Sequence, residues 1–209
     1  MATEHDCLYY VYDPMCSWCW GYQPTLQLIT QALAEHHIPF TKVLGGLAPD
    51  SDSAMPNEMQ VAIQGYWHKI HDLLGTPFNY DFWSQNTPRR STYPACRAVL
   101  IARQQGLEDQ MNQAIQHAYY LHARNPSDHR VLVDLAGQLG MDTEKFSESL
   151  NSAQTHTELL NELALARAIG GNSFPSWILQ QGEHCTSLMI DYKKPDGIID
   201  AALRAFSRP

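Results

Sequence analysis

Residues 16–19 read Cys-Ser-Trp-Cys, and their position between a β-prone run and a helical pattern constrains the fold more than any other feature. The preceding run, Cys7–Tyr12, is rich in aromatic and branched side chains and stops at Asp13-Pro14, as a buried strand does. Beyond the motif, apolar residues recur at helical spacing, at Leu26, Ile29 and Leu33. The two cysteines are therefore predicted to lie where a strand passes into a helix.

This position gives the two thiols different chemistry. Unpaired N–H groups at a helix start favour an anion, and Cys16 is predicted to supply one as a thiolate. Cys19, one turn further on, is expected on the same side and more deeply buried. We predict that Cys16 attacks a substrate disulfide and that Cys19 resolves the mixed disulfide.

The remaining pattern predicts the order β-α-β, a helical block, then β-β-α. The second strand is expected at Phe40–Leu44, the helical block at Asn57–Ile169, and strands at Trp177–Leu179 and Cys185–Ile190. The predicted fold class is α/β, a mixed sheet flanked by helices with a large all-helical insertion. Residues 1–50 and 170–209 form the discontinuous sheet domain of this prediction, and residues 51–169 the insertion.

Two details of the helices are predicted from local signals. Thr155 and Glu158 have the spacing of a capping box, which places a helix start at Thr155. The final helix, which Pro195 can open, is expected to bury an apolar face formed by Ile198, Ile199, Ala202, Leu203 and Phe206.

Pro175 supplies the second functional signal. It follows Gly171-Asn172-Ser173-Phe174 and stands directly before a predicted strand. A proline at the head of a strand is ordinary by itself. Together with the cysteine pair, it indicates a cis peptide bond, which proteins keep for a reason.

Charge and composition narrow the partners. The net charge of −8, without any run of lysine or arginine, argues against nucleic acid and anionic membranes. The acidic N-terminus does not resemble a secretory signal, and no stretch is apolar enough to span a bilayer. We therefore expect a cytoplasmic protein, where a paired cysteine motif is more often catalytic, redox-sensing or metal-binding than structural.

The other reactive side chains receive plainer interpretations. A zinc site would need two ligands beyond Cys16 and Cys19, and the best candidates, His184 and Cys185, would point to opposite faces of a strand. Cys96 is interpreted as a small buried apolar residue, and Arg97 as a partner in an ion pair. His68 and His71 are interpreted as surface or packing residues. We predict neither a metal nor a resident cofactor.

Four segments resemble the DsbA-like branch of the thioredoxin superfamily, and within it the FrnE-like group of predicted protein-disulfide isomerases. They are Asp13–Gly21 with Pro24-Thr25-Leu26, Leu44–Leu47, Tyr93–Ala98 and Ser173–Ser176. The resemblance implies a thioredoxin core interrupted by a helical domain. It also implies that Pro175 is a cis-proline facing the cysteines, and that the backbone of Phe174 pairs with an extended substrate. Trp18, Phe174 and Pro175 are the expected substrate-binding residues.

The sequence departs from the periplasmic DsbA pattern, because Ser-Trp replaces Pro-His between the cysteines. Loss of that histidine removes a donor to the attacking thiolate, so we expect a couple less oxidising than the potential of about −120 mV of the periplasmic enzyme. A reductase or disulfide isomerase acting on disulfide-containing proteins or peptides, with glutathione as a candidate co-substrate, is the favoured function.

Two other classes stay open. Glutathione-dependent enzymes of the kappa-class transferase and 2-hydroxychromene-2-carboxylate isomerase type share the resemblance, although they typically carry serine where Cys16 stands and lack the second cysteine. A binding module without enzymatic activity could use the aromatic residues Trp18, Trp20, Tyr22 and Phe174. The direction of the redox reaction, the electron donor and the oligomeric state are not predicted.

Overall fold

A computed structural model describes residues 6–206, and within this range the strands form a single mixed sheet. The first five and last three residues, which the sequence analysis assigns to the sheet domain, lie outside the described range. The strands are β1 (Cys7–Tyr12), β2 (Thr41–Leu44), β3 (Ser176–Gln181) and β4 (His184–Leu188), in the order β2-β1-β3-β4. β1 pairs with β2 in parallel and with β3 in antiparallel orientation, and β3 and β4 are antiparallel. The predicted mixed sheet is confirmed.

Helix α1 (Ser17–Glu35) is the crossover that makes the parallel pairing of β1 and β2 possible. Its three predicted core residues, Leu26, Ile29 and Leu33, are all buried. The apolar spacing in this segment therefore predicted both the helix and the face that it buries.

The helices between β2 and β3 account for the predicted helical block. They are α2 (Asn57–Leu74), α3 (Phe82–Gln85), α4 (Tyr93–Arg103), α5 (Glu108–Tyr120), α6 (His129–Gln138), α7 (Thr143–Leu150) and α8 (Ala153–Ala168). The last helix, α9 (Asp196–Phe206), follows β4. None of the helices in residues 6–206 combines the length and the apolarity that crossing a membrane requires.

The predicted N-cap of α8 is wrong by three residues. Ser152, not Thr155, is the N-cap, because its hydroxyl accepts a hydrogen bond from the Thr155 backbone N–H at 3.1 Å. Thr155 lies inside the helix and its side chain is buried, where it takes part in packing. The hydroxyl of an N-cap serine ordinarily accepts a hydrogen bond from the backbone N–H two or three residues later.

The predicted face of α9 is correct in part. Ile198 and Ala202 are buried, whereas Ile199, Leu203 and Phe206 are only partly buried. Ala205, which was not predicted, is buried. The buried face of α9 is therefore narrower than the face predicted from its apolar residues.

An aromatic cluster joins α2 to α5. Trp67 is fully buried, and its ring lies 5.0 to 6.0 Å from the rings of six neighbours: Phe78, Tyr80, Phe82, Trp83, Tyr119 and Tyr120. Tyr120 in turn stacks on Trp20 of α1 at 5.7 Å. The cluster therefore connects the helical block to the helix that begins at the cysteine motif.

Ile29→Ala should lower the free energy of unfolding by about 3 kcal/mol, because it removes a fully buried side chain and leaves a cavity. Leu28→Ala is the matched control, since the neighbouring side chain is 52% exposed and its removal should cost less than about 0.5 kcal/mol. Urea denaturation followed by tryptophan fluorescence measures both. Equal losses in the two variants would contradict the placement of α1.

Candidate active site

Cys16 is the N-cap of α1, at the junction predicted from the sequence. Its backbone is extended, with φ −81° and ψ 116°, while its carbonyl accepts the first helical hydrogen bond from Trp20 N–H at 3.0 Å. Cys16 N–H donates to the Asp13 carbonyl at 3.0 Å, which closes a tight turn between β1 and α1. The cysteine side chain therefore stands beside the unpaired N–H groups of the first helical turn.

The two cysteines differ in exposure. Cys16 is 6% exposed to solvent, Cys19 is fully buried, and both are free thiols. Burial raises the pKa of the Cys19 thiol well above its usual range, and the hydrogen bond with the Cys16 thiol raises it further. Burial thus keeps Cys19 out of contact with solvent and favours its protonated form, and its role as the resolving thiol stays a prediction.

The loop before β3 meets the cysteine motif. The Phe174–Pro175 peptide bond is cis, as predicted, and Cys16 Sγ lies 3.5 Å from the Phe174 carbonyl oxygen, to which the thiol donates. Residues separated by more than 150 positions in the chain therefore form one surface. The roles of Trp18, Phe174 and Pro175 in binding a substrate stay predictions.

Gly45 allows this approach. A Cβ atom placed on Gly45 would lie 1.8 Å from the Phe174 ring, far inside contact distance. Glycine is required here because the ring occupies the space that any side chain would fill. Gly45 therefore lets the segment after β2 pack directly against the Phe174 ring.

The carboxylate of Asp13 organises the site, although the sequence analysis placed Asp13 only at the end of a strand and at the start of the DsbA-like segment. It is fully buried and accepts hydrogen bonds from Met15 N–H at 2.8 Å, Leu47 N–H at 2.8 Å and Thr92 Oγ1 at 2.7 Å. The Cys96 thiol donates a fourth, longer bond at 3.5 Å. Burial raises the pKa of the Asp13 carboxyl, although these hydrogen bonds act to lower it.

Cys96 is buried, as predicted, and its thiol also donates a hydrogen bond to the Asp13 carboxylate. Burial raises the pKa of its thiol well above its usual range, and the neighbouring Asp13 carboxylate raises it further. The protonated thiol is therefore able to donate to Asp13. The contacts of Asp13 with Leu47, Thr92 and Cys96 were not predicted, because these partners are distant in the chain.

A cleft of about 180 Å³ opens beside Cys16. Its walls are mostly apolar and include Leu47, Met55, Ile63, Tyr66 and Phe174. Arg89 and Arg90 also line it, and Arg89 is held by an ion pair with Asp128 and by a bond to the Ser127 carbonyl at 2.8 Å. The cleft therefore offers apolar contact together with positive charge.

Trp18 lies at the edge of the cleft and is fixed from two sides. Its ring is 5.0 Å from that of Tyr192, and the Lys69 ammonium lies 5.9 Å from its centroid. Trp20 points elsewhere, since its indole N–H donates to the Pro77 carbonyl at 3.0 Å. The two tryptophans that flank Cys19 thus report on different surroundings.

Other candidate residues lie outside the cleft. Arg97 forms two hydrogen bonds with the Asp50 carboxylate, at 2.9 and 2.7 Å, which agrees with the predicted ion pair. His68 contacts Tyr80 and His71 contacts the Thr76 carbonyl. Among residues 6–206, no group of three or more His, Cys, Asp or Glu side chains is arranged to hold a metal ion. A zinc ion at Cys16 and Cys19 would thus lack its further ligands in this part of the chain.

The fold and the paired thiols define the class of the protein: a thioredoxin-fold dithiol protein with a helical insertion. The chain belongs to the DSBA-like thioredoxin domain family, whose model matches residues 8–193. This match confirms the resemblance to the DsbA-like branch that the sequence analysis described.

Solved structures agree with the fold. A candidate protein disulfide isomerase from Nitrosomonas europaea superimposes with a TM-score of 0.78 at 24% identity, covering 98% of both chains. The cytosolic disulfide reductase DsbM from Pseudomonas aeruginosa gives a TM-score of 0.73 at 26% identity, over 95% of this chain and 98% of the other. DsbM has also been solved with GSH, and that structure gives a TM-score of 0.72 at 25% identity, over 95% of this chain and 99% of the other.

Two curated proteins are also similar to this chain. The ClpXP adapter protein SpxH of Bacillus subtilis is 24% identical over 85% of this chain, and that of Halalkalibacterium halodurans is 20% identical over 82%. The chain spans 59% and 57% of the length of these two proteins.

Asp13→Ala should lower the free energy of unfolding by about 3 kcal/mol, because it removes the carboxylate that accepts hydrogen bonds from the Met15 N–H, the Leu47 N–H and the Thr92 hydroxyl. The control is Asp52→Ala, at an exposed aspartate in the segment between β2 and α2, which should change the free energy of unfolding by less than about 0.5 kcal/mol. Urea denaturation compares the two variants. A loss below about 1 kcal/mol in Asp13→Ala would contradict the role assigned to this carboxylate.

Asp50→Asn should destabilise the protein by about 1 kcal/mol near pH 7, a value reduced by the partial exposure of Asp50. The hydrogen bonds from Arg97 lower the pKa of the Asp50 carboxyl, so its contribution is present above the unfolded-state pKa and is lost as pH falls through the lowered value. Unfolding at about pH 7 and about pH 3 measures this. The difference between variant and wild type should shrink at the lower pH, and a constant difference would refute the ion pair.

Proposed function

We propose that the chain is a protein disulfide reductase or isomerase that uses Cys16 as attacking thiolate and Cys19 as resolving thiol. One observation carries the proposal: the Cys16 thiol stands at the N-cap of α1, 3.5 Å from the Phe174 carbonyl and beside a buried second thiol. A nucleophile, a substrate-pairing backbone and an internal resolving group are thus adjacent.

The reaction proceeds in two exchanges. The Cys16 thiolate attacks one sulfur of a substrate disulfide, forms a mixed disulfide and releases the first substrate thiolate. Cys19 then loses its proton and attacks the Cys16 sulfur, which forms the Cys16–Cys19 disulfide and releases the second substrate thiolate. A thiol reductant must return two electrons to the enzyme, and two molecules of glutathione can supply them.

Burial of Cys19 sets the order of these steps. A thiol that is protonated and inaccessible cannot compete with Cys16 for the substrate. It ionises more readily as pH rises, so the resolving step should accelerate with pH above neutrality. An isomerase would use the interval before resolution to let substrate thiols rearrange.

The cleft supports protein or peptide substrates. Its apolar walls, formed by Leu47, Met55 and Ile63 among others, suit side chains of an unfolded or locally exposed segment. The Phe174 backbone before Pro175 can pair with an extended chain by strand addition. Tyr66, which is 51% exposed on α2, extends the apolar surface away from the thiol.

Glutathione is proposed as the co-substrate. Arg90 places positive charge in the same cleft as Cys16, beside Arg89, which is paired with Asp128, and the carboxylates of glutathione are suitable partners for it. The disulfide reductase DsbM, a structural neighbour, has been solved with GSH. A cytoplasmic location, where glutathione is abundant, belongs to the same proposal.

A second function, as a binding adapter, is favoured by one observation. The curated relatives with significant similarity are ClpXP adapter proteins, although this chain spans less than three fifths of their length. An adapter would use the aromatic surface around Trp18 and would not need both thiols. Disulfide turnover that requires both Cys16 and Cys19 would therefore distinguish a redox enzyme from an adapter.

Cys16→Ser should reduce the rate of disulfide reduction to background, because the attacking sulfur is lost. Cys19→Ser should instead accumulate mixed disulfides with protein substrates, since nothing resolves them. Cys185→Ser is the matched control, because this exposed cysteine on β4 lies outside the cleft and its loss should leave the rate unchanged. Insulin reduction measures turnover and mass spectrometry identifies the trapped species.

A redox titration in glutathione buffers tests the couple directly, with the fluorescence of Trp18 and Trp20 as the signal. We expect a reversible two-electron transition that Cys16→Ser abolishes, at a potential more negative than about −120 mV. A midpoint near that value would indicate an oxidase. Absence of a transition, with mixed disulfides to glutathione alone in Cys19→Ser, would favour the glutathione-dependent isomerase class.

A further inference from the structure

Tyr10 lies in β1, on the face of the sheet that α1 covers. Side chains alternate along a strand, so Tyr10 and its neighbour Val11 point to opposite faces. Tyr10 packs in the core cluster that includes Cys19, whereas Val11 packs in a separate one. The Tyr10 ring lies 6.4 Å from the ring of Tyr22, which stands three residues after Cys19 on the same side of α1. Tyr10 therefore reaches beneath the part of α1 that carries Cys19.

The Tyr10 hydroxyl lies toward the two cysteines of the motif. The residue is 1% exposed, and its hydroxyl has no hydrogen-bond partner among residues 6–206. Burial raises the pKa of this hydroxyl well above its usual range, and of the neighbouring groups Cys19 raises it most, followed by Tyr22 and Cys16. An unpaired buried polar atom is uncommon in a folded protein, and a part in redox or catalytic chemistry is one of its recognised causes.

Two other buried tyrosines of this core already have acceptors. The Tyr12 hydroxyl donates to the Glu108 carboxylate at 2.9 Å. The Tyr120 hydroxyl donates to the Met15 carbonyl at 2.8 Å. The hydrogens of these two hydroxyls are thus engaged, whereas the O–H of Tyr10 is free to turn about its C–O bond toward a new acceptor.

The resolving step creates such an acceptor, because Cys19 must become a thiolate. The groups that face Cys19 are the Cys16 thiol, the backbone and carboxyl of Asp13, and the hydroxyls of Tyr10, Tyr120 and Tyr192. None of these groups is a cation. In the mixed disulfide Cys16 has no thiol, so burial and the Asp13 carboxyl are what still raise the pKa of Cys19, while a hydrogen bond from the Asp13 backbone lowers it. A thiolate at Cys19 therefore depends on neutral donors.

We propose that the Tyr10 hydroxyl stabilises the Cys19 thiolate in the resolving step, by donating its hydrogen to the sulfur. Cys19 gives its proton to the substrate thiolate that left in the first exchange, and Tyr10 keeps its own. The Cys19 thiolate then attacks the Cys16 sulfur, and the second substrate thiolate leaves with the electron pair of the broken sulfur–sulfur bond. Because the hydroxyl bonds the charged sulfur and not the protonated thiol, it lowers the barrier to resolution. The proposal rests on the proposed function in one respect, namely that Cys19 is the resolving thiol.

Tyr10→Phe tests the hydroxyl alone, since it keeps the ring. The matched control is Tyr22→Phe, which deletes another fully buried hydroxyl without a partner in the described chain. The Tyr22 hydroxyl lies toward Trp177 and Asp191 and not toward the cysteines. The urea midpoint of Tyr10→Phe should not fall below that of wild type, because the deleted oxygen makes no hydrogen bond in residues 6–206.

The assay follows the two exchanges separately. All proteins carry Cys7→Ser and Cys185→Ser, so Cys16 is the thiol that lines the cleft, and Cys19 and Cys96 are fully buried. Reduced protein is mixed with excess dithiobis(nitrobenzoate) in a stopped-flow instrument. Attack by Cys16 releases one nitrothiobenzoate anion at a rate that rises with reagent concentration. Resolution by Cys19 releases a second anion at a rate that does not depend on that concentration.

The second phase of Tyr10→Phe should be about fivefold slower than that of the parent protein at each pH from about 6 to about 9. Loss of a hydrogen bond to a charged group makes the thiolate at least about tenfold rarer, and the greater nucleophilicity of a more basic thiolate offsets part of that loss. The first phase should change by less than about twofold, and Tyr22→Phe should match the parent protein in both phases.

The outcomes separate this proposal from the proposed function. An unchanged second phase in Tyr10→Phe, or an equal loss in Tyr22→Phe, would overturn the role of Tyr10 even if the wild-type protein reduces insulin. A second phase that slows in Tyr10→Phe alone, in a protein that does not reduce insulin, would support the role of Tyr10 and refute the proposed function. Release of no nitrothiobenzoate by the parent protein would overturn both.

Discussion

The buried carboxylate of Asp13 is the constraint on which the site depends. One side chain accepts bonds from the turn that carries Cys16, from the segment after β2, and from the start of α4. An isolated charge in such a place would be very costly, and the convergence of four donors makes it tolerable. These hydrogen bonds therefore tie the turn that carries Cys16 to the segment after β2 and to the start of α4.

The same arrangement explains why the two thiols are unequal. Helix geometry alone puts Cys19 one turn behind Cys16, but burial in the core determines its protonation. Tyr10 and Tyr120 complete this environment, since burial raises the pKa of both hydroxyls well above the usual range and keeps them neutral. The Cys19 thiol thus lies among buried hydroxyls and near the Asp13 carboxyl, and of the two cysteines only Cys16 lines the cleft.

Sequence reasoning succeeded where the determinants are local. The strand before Cys16, the helix after it and the proline loop before β3 each depend on neighbouring residues, and each was predicted at nearly the observed position. It failed where distant segments meet. Asp13 was missed because Leu47, Thr92 and Cys96 approach it only in the folded chain. The cap of α8 was misplaced because Ser152 and Thr155 are both acceptable caps, and tertiary packing buried the second.

The distance between Cys16 and Phe174 along the chain has a consequence for synthesis. The ribosome delivers the cysteine pair early, while the loop that covers it emerges more than 150 residues later. Until β3 is complete, β1 lacks its antiparallel neighbour and the thiols lack their shaped cleft. A nascent chain therefore carries both cysteines before the loop that meets Cys16 and the strand that pairs with β1 have been synthesised.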